Sequence, residues 1–351
     1  MNNKIIAFLS IFFLILNLTS CRKTRTEYLK DDLFALDTYI TFSVIEGDRA
    51  KEGIDATKKR IREIEERMSA HLPGSDISKI NDNAGKQPVK VNPDTFFVIK
   101  KALEYAELTN GSFDISLLPV SRLWNINGEN PRVPSPEEIE KALAVVDYKK
   151  IRLNEEEMTV FLEDEGMAID LGGIAKGYAG DETVRILKEH GVTSGLVNLG
   201  GNIVAVNGKE DGSPWRIGIQ NPRIDEDKNK RKHVAVLDTR GDAIVTSGDY
   251  ERYMVEHYEK TGERYHHIFD PETGYPAKNG VISVSIITKN AIDADALSTS
   301  LFVMGVEEGL KLANELEGVE AMIVAEDKSI YLSKGLKDAV SGIHPDYKVV
   351  N

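Results

Sequence analysis

The sequence predicts an α+β fold with largely antiparallel sheets and packed helices. Segments with strand-like alternation and segments with helical periodicity are mixed along the chain. They do not follow one another as regular strand–helix–strand units, so a doubly wound parallel sheet is not expected. After the first 32 residues about 320 remain, which suffices for one large domain or two closely packed halves.

The first half of the chain contains local signals for one strand and three helices. Residues 36–44 alternate between apolar and polar side chains, as a half-buried strand does. Apolar residues recur at helical spacing over 54–68, which predicts an amphipathic helix. A second helix is expected over 94–109 and a third over 136–146, where Ser135 opens a capping box.

The second half is predicted to be richer in strands. Short strands are expected at 151–153, 159–163, 167–171, 194–197, 215–220, 234–237, 243–246 and 281–287. Helices over 293–304 and 306–316, followed by strands at 321–325 and 329–332, close the chain. The charge run 224–232 lies between two of these strands and is predicted to be an exposed loop.

The N-terminal residues predict export. Lys4 precedes an apolar run over 5–18, which is too short and wrongly flanked for a stable membrane span but has the parts of a secretory signal. Small or apolar residues then lead to Cys21, and this junction resembles a bacterial lipobox, in which the cysteine becomes the lipidated first residue. The alternative is an ordinary cleaved signal with an incidental cysteine.

The expected organisation is a lipoprotein signal peptide over 1–20, a tether over 21–32 and one domain over 33–345. Such a chain would be extracytoplasmic and anchored to a bacterial membrane through Cys21, the only cysteine, so no internal disulfide can form. The formal charge is −13, and −14 without residues 1–20, in which Lys4 supplies the only charge. This acidic balance argues against a nucleic-acid partner, which normally requires a basic face.

Residues 167–178 are predicted to form a short strand, a glycine turn and the start of a helix. Glycines allow a ligand to approach the backbone, and a helix N-terminus favours an anion. The pattern is neither a Walker A loop nor G-x-G-x-x-G, and a simple tight connection is the alternative. Asp170 and Lys176 favour a binding site, because a carboxylate can hold a ring or ribose and an ammonium can meet phosphate.

Asp295 and Thr299 are four residues apart at the start of a predicted helix, so their oxygens face the same way. An acid in a first turn is also stabilised by the helix dipole, and a helical Thr often bonds its own turn, so neither residue alone requires a metal. Magnesium prefers a few oxygen ligands completed by water and phosphate. A carboxylate, a hydroxyl and a free carbonyl from the glycine turn would supply the protein's share.

His266 and His267 lie in the dense polar run 265–276, which also contains Asp270 and a Pro/Gly turn. Packing alone explains such a run poorly, although metal-free core or surface imidazoles are the alternative. An imidazole with an ordinary pKa of about 6.5 suits proton transfer near neutrality. A base next to a hard-metal site indicates phosphate chemistry.

Together these motifs resemble the ApbE family, the FAD:protein FMN transferases, over about residues 35–305. The landmarks that carry the resemblance are 36–40, 68–71, 111–115 with Pro119 and Trp124, 170–177, 198–201, 246–250, 267–276 and 294–299. Each landmark alone is a modest signal, whereas the ordered series is specific. The resemblance implies a T-fold-like domain and a magnesium-dependent enzyme that splits FAD, moves FMN onto a Thr or Ser hydroxyl of a partner flavoprotein and releases AMP.

The resemblance also implies roles for individual residues. Magnesium would bind the Gly173 carbonyl, Asp295 and Thr299. Contacts to FAD would lie at Leu36, His71, Ser112, Phe113, Asp114, Asp170, Lys176 and Ile268. Lys176 and the glycine-turn amides would donate to the phosphates, and His267 is the expected base for the incoming hydroxyl.

Two positions depart from the family pattern, since Leu36 replaces a frequent Met and His71 a frequent Tyr. Three other functions remain open: hydrolysis of FAD to FMN and AMP, flavin binding without turnover on a lipid anchor, and a non-enzymatic surface lipoprotein. The last would leave Asp295, Thr299 and His267 unexplained. The expected acceptor is a flavoprotein of a membrane redox complex or a secreted flavoprotein.

Overall fold

The computed structural model describes residues 27–351 apart from 127, 228–229 and 338. The strands in this part of the chain are β1 (Tyr28–Ala35), β2 (Thr38–Ile45), β3 (Val89–Lys90), β4 (Ile151–Asn154), β5 (Thr159–Leu162), β6 (Gly195–Leu199), β7 (Asn202–Val206), β8 (Trp215–Gln220), β9 (His233–Thr239), β10 (Ala243–Gly248), β11 (Val281–Thr288), β12 (Glu320–Ala325), β13 (Ser329–Leu332), β14 (Val340–Ser341) and β15 (Lys348–Val349). The helices are α1 (Ala50–Met68), α2 (Asp76–Asp82), α3 (Pro93–Leu108), α4 (Leu118–Trp124), α5 (Pro136–Leu143), α6 (Ala175–Glu189), α7 (Val255–Thr261), α8 (Ala291–Met304) and α9 (Val306–Glu315).

One large sheet organises the fold. It has nine strands in the order β1-β2-β6-β7-β10-β11-β12-β13-β15. Every neighbouring pair in it is antiparallel except β13 with β15. The remaining strands form two three-stranded antiparallel sheets, β14-β9-β8 and β3-β5-β4. The predicted α+β class with largely antiparallel sheets is confirmed.

The main hydrophobic core lies between the helices and the large sheet. Helix α6 contacts both α1 and α8, and α8 contacts β10 and β11. Nearly the whole circumference of α8 is buried, which agrees with its apolar sequence. In β2 the alternate residues Ile40, Phe42 and Val44 are buried, as expected for a strand with one face on a core.

Three segments meet at one end of the large sheet. They are the β1–β2 turn at Leu36 and Asp37, the β6–β7 turn at Gly200 and Gly201, and the end of β10. A side chain at Gly200 would collide with Thr38, so glycine there allows the first two turns to approach each other. This end of the sheet carries the candidate site.

Strand β1 corrects the predicted domain boundaries. It pairs with β2 along its whole length, from Tyr28 opposite Ile45 to Ala35 opposite Thr38. The folded domain therefore begins inside the segment 21–32 that the sequence predicted as a tether. At the other end, β15 pairs with β13 beyond the predicted limit at residue 345. Cys21 and the predicted signal peptide over 1–20 lie outside the described residues.

Two local predictions are also wrong. Residues 167–171 form no strand, and only Ala168 makes an isolated bridge. The helix predicted over 136–146 ends at Leu143, although both hydrogen bonds of its capping box are present. The described residues of the charge run 224–232 form a mostly exposed loop, as predicted, in which Asp227 is the exception because it is buried. Across the described part of the chain, no helix combines the length and the hydropathy needed to cross a membrane.

Candidate active site

The glycine turn before α6 is fixed by hydrogen bonds at both of its ends. The Asp170 N–H donates to the Ile115 carbonyl (2.8 Å), and the Asp170 carboxylate accepts the Gly172 N–H (2.7 Å). The Lys176 ammonium donates to the Gly172 carbonyl (3.0 Å) and lies 3.8 Å from Oδ1 of Asp295. The turn therefore holds a cation at the N-terminal end of α6.

Asp295 links α8 to the start of α6. The residue is almost fully buried, and its Oδ2 accepts the Gly177 N–H (2.8 Å). Gly177 is the third residue of α6, so its N–H is one of those at a helix start that have no partner within the helix, and Asp295 supplies that partner. The Gly173 carbonyl lies before the N-cap residue Ile174 and accepts no hydrogen bond from another described backbone N–H. A side chain at Gly177 would collide with the Ala291 carbonyl, and glycine is therefore what allows α6 and α8 to approach.

Thr299 and Phe113 lie beside Gly173. A Cβ built on Gly173 would be 3.7 Å from the Thr299 hydroxyl and 3.1 Å from the edge of the Phe113 ring. Thr299 also stands one helical turn from Asp295 on α8, which puts both side chains on one face. The structure thus brings together the three residues predicted for magnesium, and all their donor atoms are oxygens, as a hard cation prefers.

The two adjacent histidines have different surroundings. Nδ1 of His266 accepts the Ile268 N–H (3.3 Å), so its Nε2–H donates to the Ala277 carbonyl (3.0 Å) and both nitrogens are used. His267 donates Nδ1–H to the Arg252 carbonyl (3.2 Å), because a carbonyl can only accept. This tautomer leaves the lone pair on Nε2 of His267 available for a proton.

Burial and nearby cations keep His267 neutral. Loss of hydration lowers its pKa to about 3, and the neighbouring His266, followed by the positive charges of Arg252 and Lys176, acts in the same direction. Burial also lowers the pKa of His266. The effect of Lys176 on His267 shows that the two residues predicted to be catalytic share one electrostatic environment.

The β1–β2 turn is attached to this cluster through Arg252. Its guanidinium donates to the Asp37 carbonyl (3.1 Å) and pairs with the Asp37 carboxylate (3.0 Å). On the other side of the turn, the Leu36 N–H donates to Glu65 (2.7 Å). Leu36, predicted to contact FAD, is therefore held near His267 by two polar anchors.

A cleft of about 330 Å³ lies on another side of the 265–276 run. Ser112, Asp114 and Asp270 are among the residues that line it. The Asp114 carboxylate accepts N–H and O–H from Ser116 and the N–H of Tyr148, and burial raises its pKa. In this structure Asp114 braces its own loop, and its predicted contact with FAD remains a prediction.

Comparison with known proteins gives the family. The model of the ApbE family matches residues 36–323. This chain belongs to the ApbE family. A Treponema pallidum (strain Nichols) protein named FAD:protein FMN transferase is 37% identical over 286 residues, covering 78% of this chain and 77% of the relative. A Klebsiella pneumoniae (strain 342) protein of the same name is 33% identical over 291 residues, covering 83% of this chain and 88% of the relative.

Solved ApbE structures have the same fold. The ApbE protein from Thermotoga maritima MSB8 matches with a TM-score of 0.81 at 37% identity, covering 89% of this chain and 99% of that one. The flavin transferase ApbE from Vibrio cholerae matches with a TM-score of 0.79 at 28% identity, with the same coverage of 89% and 99%.

Most residues predicted from the ApbE resemblance lie around this cluster, but not all do. His71 is exposed in the loop after α1, where its N–H donates to Ser69 (3.2 Å). Among the described residues its side chain makes no hydrogen bond or ion pair with the cluster. Ile268 is buried, and its backbone rather than its side chain forms the polar contacts there.

Three residues of this ApbE site escaped sequence reasoning: Gly177, Arg252 and Glu251. The sequence did contain a signal for Gly177, because Gly177 and Gly180 both lie inside a predicted helix, where glycine is destabilising. Glu251 lies 3.8 Å from the Cβ position of Gly201. Glu251 is exposed, but the protein around its carboxylate and the charge of Asp295 raise its pKa, against the opposing charges of Lys176 and Arg252.

A second group of possible metal ligands, Asp227, His344 and Asp346, lies apart from the ApbE landmarks. His344 uses both ring nitrogens within the protein. Its Nδ1 accepts the Asp346 N–H (3.2 Å), so Nε2–H donates to Asp227 (3.1 Å). This arrangement satisfies the imidazole without a cation.

Proposed function

We propose that this ApbE chain is an FAD:protein FMN transferase, which moves FMN from FAD onto a Thr or Ser hydroxyl of an acceptor protein and releases AMP, with Mg²⁺ as cofactor. The observation that carries the proposal is the grouping of Asp295, Lys176 and a neutral His267 at one end of the large sheet. Membership of the family and the names of the relatives support FMN transfer.

The donors beside α6 suit magnesium. The Gly173 carbonyl, Asp295 and Thr299 supply oxygen atoms only. Oδ2 of Asp295 is occupied by the Gly177 N–H, whereas Oδ1 has Lys176 at 3.8 Å, which is too long for a hydrogen bond. When bound there, Mg²⁺ would neutralise charge on the phosphate oxygens.

The remaining chemistry falls to the chain's own side chains. The acceptor oxygen bonds to the phosphorus of the FMN half, and the P–O bond to AMP breaks, so that AMP leaves with the bridging oxygen. The hydroxyl proton passes to Nε2 of His267, which the Arg252 carbonyl orients through Nδ1. The Lys176 ammonium stabilises negative charge on the phosphates.

The charge of the substrate matters for this base. Loss of hydration is the largest cause of the low pKa of His267, and the charges of Arg252 and Lys176 add a smaller part. A bound pyrophosphate brings negative charge that offsets these cations, so FAD should raise the pKa of His267 and make it a better proton acceptor. A nuclear magnetic resonance titration of His267 with and without FAD measures this shift, and an unchanged pKa contradicts the assignment.

We also propose that Cys21 carries a lipid anchor, so that transfer takes place outside the cytoplasm on a flavoprotein of a membrane redox complex or on a secreted flavoprotein. The export signal and the single cysteine support this location. Changing Cys21→Ser should move the chain from the membrane fraction to the soluble fraction, whereas Ser20→Ala should not. Retention of the Cys21→Ser chain in the membrane fraction contradicts the anchor.

The test of the reaction uses the chain without residues 1–21, FAD and the FMN-acceptor domain of a membrane redox complex, with Mg²⁺ or with EDTA. The acceptor should gain the mass of FMN less one water, and an equal amount of AMP should appear, only when Mg²⁺ is present. AMP and free FMN with an unmodified acceptor would instead indicate hydrolysis. Bound FAD without AMP would indicate a flavin-binding protein without turnover.

A further inference from the structure

The tip of the β1–β2 hairpin exposes two large aromatic side chains. Phe34 and Tyr39 are opposite each other in the strand register, and their ring centroids are 6.0 Å apart. They are 64% and 63% exposed, more than any other large hydrophobic residue in the described chain. Their neighbours Leu33 and Ile40 are buried, so the aromatic pair stands on the outer face of the hairpin.

The turn between these two residues is strained and firmly held. Leu36 and Asp37 have φ angles of 53° and 55°, a left-handed conformation that costs a non-glycine residue about 1–2 kcal/mol. Such strain persists only where the surrounding structure imposes it, and it is concentrated at functional sites. Here the two-residue connection between paired strands requires it, and the hydrogen bonds to Glu65 and Arg252 hold the turn in place.

The hairpin tip is continuous with the candidate active site. The guanidinium of Arg252 holds Asp37, and the carbonyl of the same residue orients His267. The hairpin tip and His267 are therefore both attached to Arg252, so a protein bound at the tip lies next to the residue that orients the proposed base.

We propose that the Phe34–Tyr39 pair is a docking surface for the acceptor protein, which contributes an apolar segment close to the Thr or Ser that it presents. This inference rests on the proposed function. The pair provides an apolar centre, and Asp37, Arg252 and Thr41 provide polar groups around it, which is the usual composition of a protein interface.

The small area of the Phe34–Tyr39 pair favours a transient partner over a permanent one. Two side chains contribute far less than the roughly 800 Å² that each partner buries in a stable complex. A permanent dimer of this chain would need a larger apolar face. A transient enzyme–acceptor encounter, in which the active site supplies the rest of the contact, requires only such a small anchor.

The experiment measures FMN transfer to the folded FMN-acceptor domain of a membrane redox complex at saturating FAD and Mg²⁺. In the Phe34→Ser/Tyr39→Ser variant the KM for the acceptor should rise at least about tenfold, because buried aromatic anchors dominate small interfaces. The kcat at saturating acceptor and the Kd for FAD should remain within twofold. The Phe34→Tyr/Tyr39→Phe variant should keep the wild-type KM, and so should Phe97→Ser, which removes another exposed aromatic ring.

A photocrosslink keeps docking separate from chemistry. With p-benzoylphenylalanine at position 34 the acceptor domain should crosslink, and with the same group at position 97 it should not. Crosslinking without transfer would leave the docking surface standing and overturn the proposed function.

Other results would overturn the docking surface itself. An unchanged acceptor KM in the double serine variant is one. A parallel loss of thermal stability and FAD affinity would show that the pair only stabilises the hairpin. A change in sedimentation from dimer to monomer would assign the pair to self-association instead.

Discussion

Two carboxylates within the family landmarks, Asp249 and Asp295, are almost equally buried, at 6% and 3% exposure, but their partners differ. Asp249 accepts two hydrogen bonds from the Arg223 guanidinium (2.8 and 2.7 Å) and has Arg264 at 3.4 Å. Asp295 accepts one backbone N–H, from Gly177, and its other oxygen faces a single ammonium at 3.8 Å.

The difference separates a structural carboxylate from one suited to a ligand. A buried carboxylate in a two-pronged pair with Arg is compensated within the protein. Asp295 lacks such a pair. Gly173, whose carbonyl accepts no hydrogen bond from another described backbone N–H, lies next to Thr299, one helical turn along α8 from Asp295, so a cation can complete the surroundings of this carboxylate. His266 and His267 repeat the contrast, since the first uses both nitrogens within the protein and the second uses one. Partners, rather than burial or residue type, distinguish the two classes.

The largest expected effect is that of Asp295→Asn on turnover. The amide keeps an acceptor for the Gly177 N–H but loses the charge that binds a cation, so the rate of AMP release should fall at least about 100-fold. The thermal midpoint should change little, and FAD binding should be partly retained. The measurement is the initial rate across a Mg²⁺ titration, and a Mg²⁺ dependence identical to that of the wild type would exclude Asp295 as a ligand.

The same substitution at Asp249 should act on stability instead. Asp249→Asn leaves Arg223 and Arg264 buried without their shared counter-charge, and the free energy of unfolding should fall by about 3–5 kcal/mol. The rate of FMN transfer per folded molecule should stay within a few-fold of the wild type. Urea denaturation gives the first quantity. A loss below about 1 kcal/mol would remove the distinction between the two carboxylates.

The histidine pair allows a matched test with smaller effects. His267→Ala should lower FMN transfer about 100-fold, because it removes the base, while FAD still binds. His266→Ala should cost about 1–3 kcal/mol of stability, because the Ile268 N–H and the Ala277 carbonyl lose their partner. Transfer rates and urea denaturation should be measured for both variants. Full transfer activity in His267→Ala would refute its role as base.

The pH dependence of stability should show the smallest effect. The folded chain keeps His267 neutral down to a pKa of about 3, whereas the unfolded residue takes up a proton near pH 6.5. The unfolded state therefore binds more protons below pH 6.5, and the wild-type free energy of unfolding should decrease as the pH falls through this range. His267→Ala should make the decrease shallower between pH 6.5 and 4.5, and equal slopes would contradict the burial of a neutral ring.

The sequence predicted the elements with the strongest periodicity. The helical spacing of the apolar residues in α1 and the four-residue spacing of Asp295 and Thr299 depend on neighbours in the chain, so they are visible without a structure. Strand β1 was missed because Lys30, Asp31 and Asp32 give it the composition of a solvated linker, although its pairing with β2 is complete.

The site was only partly predictable for a related reason. The hydrogen bond from Gly177 to Asp295 joins residues 118 positions apart in the chain. A local sequence pattern cannot predict a contact between residues so far apart. Asp170 illustrates the opposite error. The residues around it have the β-branched and apolar composition of a strand, yet the chain there makes a single bridge before it turns into α6.

Strand β1 also separates the N-terminal end of the described chain from the candidate active site. Tyr28 lies at one end of β1 and packs against Trp215. The β1–β2 turn, which Arg252 links to His267, lies at the other end, about 25 Å away for a strand of this length. An attachment upstream of Tyr28 would therefore hold the molecule at the end of β1 that lies farther from the candidate active site. In a chain tethered at its N-terminus, the catalytic groups would stand off from the point of attachment and face substrates that arrive from the opposite side.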